Sequence, residues 1–147
     1  IIWAVSSSTG NYAAASKGAR AALITRGIAE IARLGVAMGC NVHTFAGLAG
    51  IGDLIVTATS MHSRNNRAGI LIGKGETPEQ AVKEVGMVVE GMNALPAALE
   101  LAERYQVEMP IVQTVNAIVN EGMGAAEAVR TLMDRDPKNE LPKGYEK

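Results

Sequence analysis

A glycine-rich stretch with a single carboxylate is the first part of this sequence that could do chemistry. Residues 47–57 read Gly-Leu-Ala-Gly-Ile-Gly-Asp-Leu-Ile-Val-Thr, and the carboxylate is Asp53. Glycine inside a helix costs about 1 kcal/mol relative to alanine, and clustered glycines serve where the backbone approaches something closely or takes unusual dihedral angles. Asp53 is therefore a candidate binding residue. The alternative is a plain helix start, because a carboxylate in the first turn also interacts favourably with the helix dipole.

A dense polar cluster follows in an otherwise apolar chain. Residues 62–67 read His-Ser-Arg-Asn-Asn-Arg. The planar guanidinium of Arg64, flanked by the hydrogen-bonding side chains of Ser63 and Asn65, suits a phosphate monoester. A solvated helix face is the other interpretation of the same run. We expect Asp53 and the Arg64 cluster to face one pocket, whose ligand carries negative charge.

Glu90 is a third candidate, because it follows a break in the helical pattern at Val88 and Val89. It can bind a polar ligand or cap the helix that follows, and the residues alone favour the cap. The glycine array before Asp53 is not a dinucleotide fingerprint, since that motif needs a preceding strand in a βαβ unit. No such strand is predicted here.

The histidines and the cysteine predict neither a metal site nor a hydrolytic triad. His43, His62 and the single cysteine, Cys40, have no partner at metal-ligand spacing. His62 directly precedes Ser63, whereas the members of a triad are recognised by their geometry in the fold and not by adjacency in sequence.

Composition limits the class of protein. The chain has 147 residues, of which 48% are hydrophobic and 20% charged, about one domain with an ordinary globular balance. A net charge of −1 without a basic stripe argues against nucleic acid as a partner, and no apolar run is long enough to span a bilayer. One cysteine excludes an internal disulfide and fits a cytoplasmic setting. Aromatic residues make up only 3%, so the core must be aliphatic, which favours packed helices.

Apolar residues at helical spacing predict an all-α fold. The longest predicted helix covers residues 14–38, with Ile24, Ile31 and Leu34 on its apolar stripe and Glu30 off it. Two further members of that stripe are Ile28 and Met38. Other predicted helices are a short one ending at residue 48, those over residues 51–59, 64–73, 92–105 and 110–122, one opened by Pro78, and a last one from residue 124 that carries Val129, Leu132 and Met133.

These patterns divide the chain into three regions. Residues 1–18 are predicted to form an apolar N-terminal segment and a loop rich in serine, alanine and glycine. Residues 19–134 form the helical domain, and residues 135–147 a solvated tail. Because the sequence begins with isoleucine, we expect an upstream part to be missing.

Four motifs in order and spacing resemble one family. They are Arg-Ala-Ala-Leu-Ile-Thr-Arg-Gly at 20–27, Gly-Leu-Ala-Gly-Ile-Gly-Asp-Leu at 47–54, His-Ser-Arg-Asn at 62–65 and Val-Val-Glu-Gly at 88–91. Together they resemble the C-terminal, substrate-binding domain of bacterial NAD(P)-dependent glycerol-3-phosphate dehydrogenase. The resemblance implies a multi-helix domain of the 6-phosphogluconate dehydrogenase C-terminal-like type. It further implies an oxidoreductase that interconverts sn-glycerol 3-phosphate and dihydroxyacetone phosphate for glycerophospholipid precursor synthesis.

The resemblance also implies roles for the candidate residues. Asp53 would lie beside the reacting hydroxyl, and Thr57, one turn later, matches a hydroxyl position of the same catalytic site. Ser63, Arg64 and Asn65 would bind the phosphate of a small-molecule substrate.

Contacts with the cofactor, NAD or NADP, are implied for Arg64, Val88 and Glu90. The cofactor would bind mainly to an N-terminal Rossmann domain that this chain lacks. The general acid–base of the family is a lysine, which the family's spacing places immediately before Ile1. Lys17 does not match its surroundings and is not assigned that role. This chain alone is therefore expected to be inactive.

Two other functions stay open. One is a helical interaction module without catalysis, which forms homo- or hetero-dimers and keeps an ancestral pocket. The other is a related dehydrogenase that acts on another acid or sugar, whose substrate would lack the phosphate that Ser63, Arg64 and Asn65 suit. A homodimer is compatible with each of these functions, and neither nucleic acid nor a membrane is expected as a partner.

Overall fold

Every regular element in residues 17–135, the part of the chain that the computed structural model describes, is helical. The predicted all-α class is confirmed. The predictions for residues 1–16 and 136–147 lie outside the described residues. The eight α-helices of the described range are α1 (Lys17–Ala37), α2 (Asp53–Thr59), α3 (Arg64–Gly73), α4 (Pro78–Val85), α5 (Glu90–Asn93), α6 (Leu95–Arg104), α7 (Pro110–Asn120) and α8 (Ala125–Met133). Between α1 and α2 lie a 3₁₀ segment, Val42–Ala46, and a π-helical turn, Leu48–Gly52.

Local capping signals explain several helix boundaries. The hydroxyl oxygen of Ser63 accepts a hydrogen bond from the main-chain N–H of Asn66 and so begins α3. Thr77 and Gln80 form a reciprocal capping box at the start of α4, which satisfies two helix N–H groups that would otherwise lack partners. Gly86 ends α4 in the left-handed conformation, with a φ of 72°, where glycine has no steric penalty.

The core is aliphatic, as the scarcity of aromatic residues predicts. Among the described residues, each buried hydrophobic side chain is alanine, valine, leucine, isoleucine or methionine. Helices α3, α4, α7 and α8 meet in the largest cluster, and α1 and α6 meet beside the segment that leads into α7. The members of the largest cluster are Ile72, Ala81, Ile118, Ala128 and Val129.

The buried face of α1 differs from the predicted stripe. Leu34 is buried as predicted, but Ile31 and Met38 are 41% and 43% exposed. Glu30, predicted on the polar face, is only 3% exposed. The reason is that α1 is covered on several sides, by the 3₁₀ segment, α2 and α7. On α8, Met133 is also 41% exposed. The other buried residues of α1 are Leu23, Ala29, Ala32 and Gly35.

The prediction of one continuous helix over residues 92–105 is wrong. The segment forms two helices, α5 and α6, which are separated at Ala94. Pro96 lies in the first turn of α6. Proline has no main-chain N–H, and its ring clashes with the carbonyl one turn earlier, so a helix cannot continue through it undisturbed. None of the described helices is both long and apolar enough to cross a membrane.

Candidate functional site

The glycine-rich stretch forms the π-helical turn that leads into α2. The main-chain N–H of Gly52 donates to the carbonyl oxygen of Gly47 over 3.3 Å, the i to i+5 spacing of a π-helix. A Cβ at Gly50 would lie 2.6 Å from the carbonyl carbon of Phe45, so only glycine fits there. At Gly50, the close approach predicted for these glycines is made to the main chain of Phe45.

Phe45 in turn anchors this segment on α1. Its ring lies against Gly35, where a Cβ would be 2.7 Å from Cε2 of the ring. Because residue 35 is glycine, the ring of Phe45 has room to pack against α1 at this position. Because the turn is held in this way, α2 begins at Asp53 in a defined position, and the carboxylate of Asp53 is exposed in its first turn.

A polar cavity of about 330 Å³ lies where α2, α3 and the start of α5 meet. Seven of its eight lining residues carry a polar side chain, and Val56 is the one aliphatic residue among them. Five of the residues singled out in the sequence come together here. They are Thr57, Ser63, Arg64, Asn65 and Glu90.

The cavity does not include every predicted site residue. Asp53 is exposed one turn before Thr57 and is not among the lining residues. Val88 is 51% exposed, two residues before Glu90, and does not line the cavity either. The expectation that Asp53 and the Arg64 cluster face one pocket therefore stays a prediction.

The N-terminus of α3 opens on this cavity, because Ser63, Arg64 and Asn65 are its cap and first two residues. The Ser63 hydroxyl oxygen accepts from the N–H of Asn66 over 3.3 Å, and its hydrogen stays free to donate elsewhere. No carboxylate of the described residues forms an ion pair with Arg64. A helix N-terminus carries partial positive charge, so the arrangement can bind an anion with several oxygen atoms.

Three residues that shape this cavity were given no role of their own from the sequence, although two of them belong to the 62–67 polar cluster. Ser60 and His62 line it. Asn66 is 7% exposed, and its Nδ2 donates to the carbonyl oxygen of Ser60 over 3.0 Å. The loop is further tied by the N–H of His62, which donates to the Ser60 hydroxyl over 3.1 Å. The second asparagine of the polar cluster is the only local signal, and burial of its amide cannot be inferred from spacing.

A second cavity of about 320 Å³ shares a wall with the first, since Thr57 and Asn65 line both. The rest of its lining is mostly aliphatic and comes largely from α1 and α7, for example Leu23, Ile31 and Val115. The exposure of Ile31 therefore arises because its side chain lines this cavity. The two cavities differ in chemistry although they differ little in size.

Glu30 is the one carboxylate among the residues that line this apolar cavity. Its Oε1 accepts a hydrogen bond of 2.8 Å from the N–H of Ile111, in the first turn of α7. Its Oε2 is buried without a hydrogen-bond partner among the described residues. Burial raises the pKa of Glu30, while hydrogen bonds from the main chain of Ile111 and Val112 act in the opposite direction. Met109 provides no side-chain cap for α7, so Glu30 satisfies this helix end from another helix.

Comparisons with known proteins agree with this architecture. Residues 2–130 match the family described as NAD-dependent glycerol-3-phosphate dehydrogenase C-terminus. Glycerol-3-phosphate dehydrogenase (NAD(P)+) 2 of Lactobacillus delbrueckii subsp. bulgaricus is 65% identical over 124 residues, which are 84% of this chain and 37% of that protein. The enzyme of the same name, without the number, from Fusobacterium nucleatum is 60% identical over 122 residues, 83% of this chain and 36% of that protein.

A solved structure is similar as well. The crystal structure of glycerol-3-phosphate dehydrogenase from Coxiella burnetii superposes with a TM-score of 0.82 and 36% identity, covering 91% of this chain and 41% of that one. The chain thus spans little more than a third of the length of the curated relatives it matches. The match to the family extends over most of this sequence, and the resemblance seen in the four motifs is confirmed. The chain belongs to the NAD-dependent glycerol-3-phosphate dehydrogenase family, whose C-terminal domain it matches.

Proposed function

We propose that this chain is the substrate-binding domain of an oxidoreductase that interconverts sn-glycerol 3-phosphate and dihydroxyacetone phosphate with NAD or NADP, in glycerophospholipid precursor synthesis. The observation that carries the proposal is the polar cavity, where Arg64 and the N-terminus of α3 meet. A phosphate group is the part of the substrate that a guanidinium and a helix N-terminus can bind together. A dehydrogenase for an acid or sugar without phosphate would leave this pair without its ligand.

The residues around the cavity take distinct parts in this proposal. Ser63, Arg64 and Asn65 bind the phosphate, so the three-carbon chain of the substrate extends towards α2. Thr57 lines the cavity there, and Asp53 lies one turn earlier. Asp53 is proposed to hydrogen-bond the reacting hydroxyl and to orient the acid–base lysine that the resemblance places before Ile1. Fixing a substrate in one orientation can lower a reaction barrier by about 7 kcal/mol or more.

NAD or NADP is proposed to bind mainly to an N-terminal domain, for which the greater length of the relatives leaves room. The residues of this chain fit contact with such a group, because Glu90 is exposed at the cavity and Val88 is exposed close to it in sequence. Arg64 lies on the same cavity. When bound, such a group would supply hydride chemistry at the substrate carbon, and the part proposed for this chain is to hold and orient the substrate. We therefore propose that the chain alone is inactive.

The phosphate site can be tested on the chain itself. Glycerol 3-phosphate is titrated into the wild type, and the amide resonances near Asp53 and Arg64 are followed by NMR. Arg64→Ala is expected to weaken binding about 50-fold, since one charged hydrogen-bonding partner of a phosphate is lost. Arg67→Ala is the matched control, because Arg67 is exposed on the same helix and does not line the cavity.

Two outcomes would contradict the proposal. One is a wild-type chain whose resonances do not respond to millimolar glycerol 3-phosphate. The other is an equal loss of affinity in Arg64→Ala and Arg67→Ala, which would indicate a diffuse charge effect.

The catalytic part of the proposal is tested by joining the chain to a family N-terminal domain and following oxidation of NADH or NADPH with dihydroxyacetone phosphate.

We also propose a homodimer in the cytoplasm. Cys40 is exposed and has no disulfide partner, which suits a reducing compartment. Leu48, Met61 and Met87 are 90%, 63% and 62% exposed, and the interface of the proposed homodimer would cover side chains of this kind. Sedimentation equilibrium of the joined protein measures the oligomeric state, and a monomer at micromolar concentration would contradict the proposal.

A further inference from the structure

We propose that Gly91 is a positioning residue of the phosphate site, an inference that rests on the function proposed above. Gly91 is the second residue of α5 and does not itself line the polar cavity. Its main-chain N–H donates to Oδ1 of Asn65 over 2.8 Å. This bond joins α3 to α5 across 26 residues of sequence. Its acceptor, Asn65, lines the polar cavity.

The bond determines which end of the Asn65 amide can serve a ligand. The oxygen of an amide side chain only accepts hydrogen bonds, and its nitrogen only donates them. Because Oδ1 is held by Gly91, the two N–H groups of Nδ2 are the part of Asn65 left for an anion. If the amide were turned over, it would present an oxygen to the phosphate and repel it. Gly91 thus makes Asn65 a donor towards the cavity.

Position 91 requires glycine because a side chain has no room there, and not because the main chain has a positive φ. Glycines with positive φ occur elsewhere in the described chain, at Gly39, Gly75, Gly86 and Gly122, whereas Gly91 lies within a helix. A Cβ at position 91 would lie 2.7 Å from Oδ1 and 3.1 Å from Cγ of Asn65. The obstructing atoms belong to a side chain that can rotate. An alanine is therefore expected to displace the amide while the helix stays intact.

The same contact sets the distance between the two helices that border the cavity. Glu90 directly precedes Gly91 and lines the cavity from α5, whereas Asn65 lines it from α3. A side chain at position 91 would separate the two walls as well as turn the amide. Both changes act on binding of the anion, and neither removes a buried apolar group from the core.

The test measures dissociation constants for glycerol 3-phosphate and for inorganic phosphate, by NMR titration of the whole chain, together with the midpoint of urea unfolding. Gly91→Ala is expected to bind both anions about tenfold more weakly, the effect of one misplaced hydrogen bond to a charged group. Its unfolding midpoint should fall only slightly, because the loss of the hydrogen bond between α3 and α5 is opposed by the preference of alanine for a helix. Gly124→Ala is the control, because Gly124 has a φ of −64° and no atom within 4 Å of a Cβ.

Two further variants separate the parts of Asn65. Asn65→Asp keeps an oxygen for the N–H of Gly91 but replaces the donor, so anion binding should fall about 100-fold. The amide hydrogen of residue 91 should still exchange slowly in this variant and should exchange faster in Asn65→Ala. Because the new carboxylate repels an anion in any case, Asn65→Ala isolates the lost donor: if it bound both anions as tightly as the wild type, Asn65 would have only a structural role.

The outcomes separate this inference from the proposed function. If the wild type binds and Gly91→Ala binds within twofold of it, the positioning role is overturned and the phosphate site stands. Wild-type binding of Asn65→Asp would also overturn it. If the wild type binds neither anion, the proposed function fails, and the role of Gly91 fails with it.

Discussion

Two helix N-termini in this domain differ in the groups that face them. The N-terminus of α3 opens on the polar cavity, where Ser63 caps it locally and Arg64 has no carboxylate partner among the described residues. The N-terminus of α7 lies beside the apolar cavity and is closed by Glu30, a carboxylate that reaches it from α1. Glu30 accepts a hydrogen bond from the N-terminus of α7, as a phosphate is proposed to do at the N-terminus of α3.

The difference teaches what makes a helix end available to a ligand. Both ends supply N–H groups that have no partner within the helix and a partial positive charge that favours an anion. At α7 the group that accepts from the helix end is Glu30, a side chain of the protein that is 3% exposed, so the helix end contributes to folding. At α3 the cap uses only one N–H, and the remaining donors line a cavity. A helix N-terminus therefore stabilises the fold at α7, whereas at α3 it is proposed to bind a ligand.

The largest expected effect is a loss of stability at the closed end. Glu30→Ala leaves the partly buried N–H of Ile111 without its acceptor and enlarges the apolar cavity, so the free energy of unfolding should fall by about 2 kcal/mol. Glu30→Gln keeps an acceptor oxygen and should stay within about 1 kcal/mol of the wild type. Urea unfolding of both variants measures this. Equal stability of the alanine and glutamine variants would mean that the bond to Ile111 contributes nothing.

At the open end, one substitution should change both stability and binding. Ser63→Ala removes the cap of α3 and a donor to the cavity, so the free energy of unfolding should fall by about 1 kcal/mol. Glycerol 3-phosphate should bind about tenfold more weakly. Thr77→Ala removes the cap of α4, which lines neither cavity. It should cost about 1 kcal/mol of stability and leave binding unchanged, whereas a similar loss of affinity in both variants would show that binding only follows stability.

The pH dependence of stability should distinguish the two ends as well. Burial raises the pKa of Glu30 above its ordinary value of 4.5, so the folded chain holds this proton more tightly than the unfolded chain does. The stability that the proton contributes is complete below about pH 4.5 and is lost as the pH rises through the folded-state pKa. The wild type should therefore lose stability relative to Glu30→Gln over that range.

Urea unfolding of the wild type and Glu30→Gln at several pH values from 4 to 8 measures this difference, because all other titrating groups are shared. Two parallel curves would contradict a raised pKa of Glu30. Ser63→Ala provides a second comparison. It should run parallel to the wild type across the range, since no titrating group is changed at the N-terminus of α3.

The smallest effect is expected at Asp53. Its carboxylate is exposed in the first turn of α2, so Asp53→Asn should lower the free energy of unfolding by about 0.5 kcal/mol or less, the contribution of an exposed charge to the helix dipole. In the protein joined to an N-terminal domain the same variant should lower turnover far more than it lowers stability. Turnover equal to that of the wild type would leave Asp53 with only the role of a helix start.

What the sequence by itself determined is the local part of this structure. The Thr77–Gln80 capping box, the Ser63 cap and the glycine that ends α4 all depend on residues within a few positions of one another, so their patterns can be seen without a fold. The four motifs likewise identified the family. The polar cluster of Ser63, Arg64 and Asn65 is contiguous, and its place at the beginning of one helix makes the three residues neighbours in any packing.

Only the tertiary structure decided which faces are buried and which distant groups meet. Glu30 looks like a surface residue of an amphipathic helix, yet it is bonded to Ile111 across 81 positions because α7 packs over that face of α1. The steric need for glycine at position 91 arises from Asn65, on a different helix. The spacing of residues in the sequence predicts interactions within one helix. Burial and hydrogen bonds between helices depend on how the helices pack, and that packing left Asp53 exposed and brought Glu90 to the same cavity as Ser63, Arg64 and Asn65.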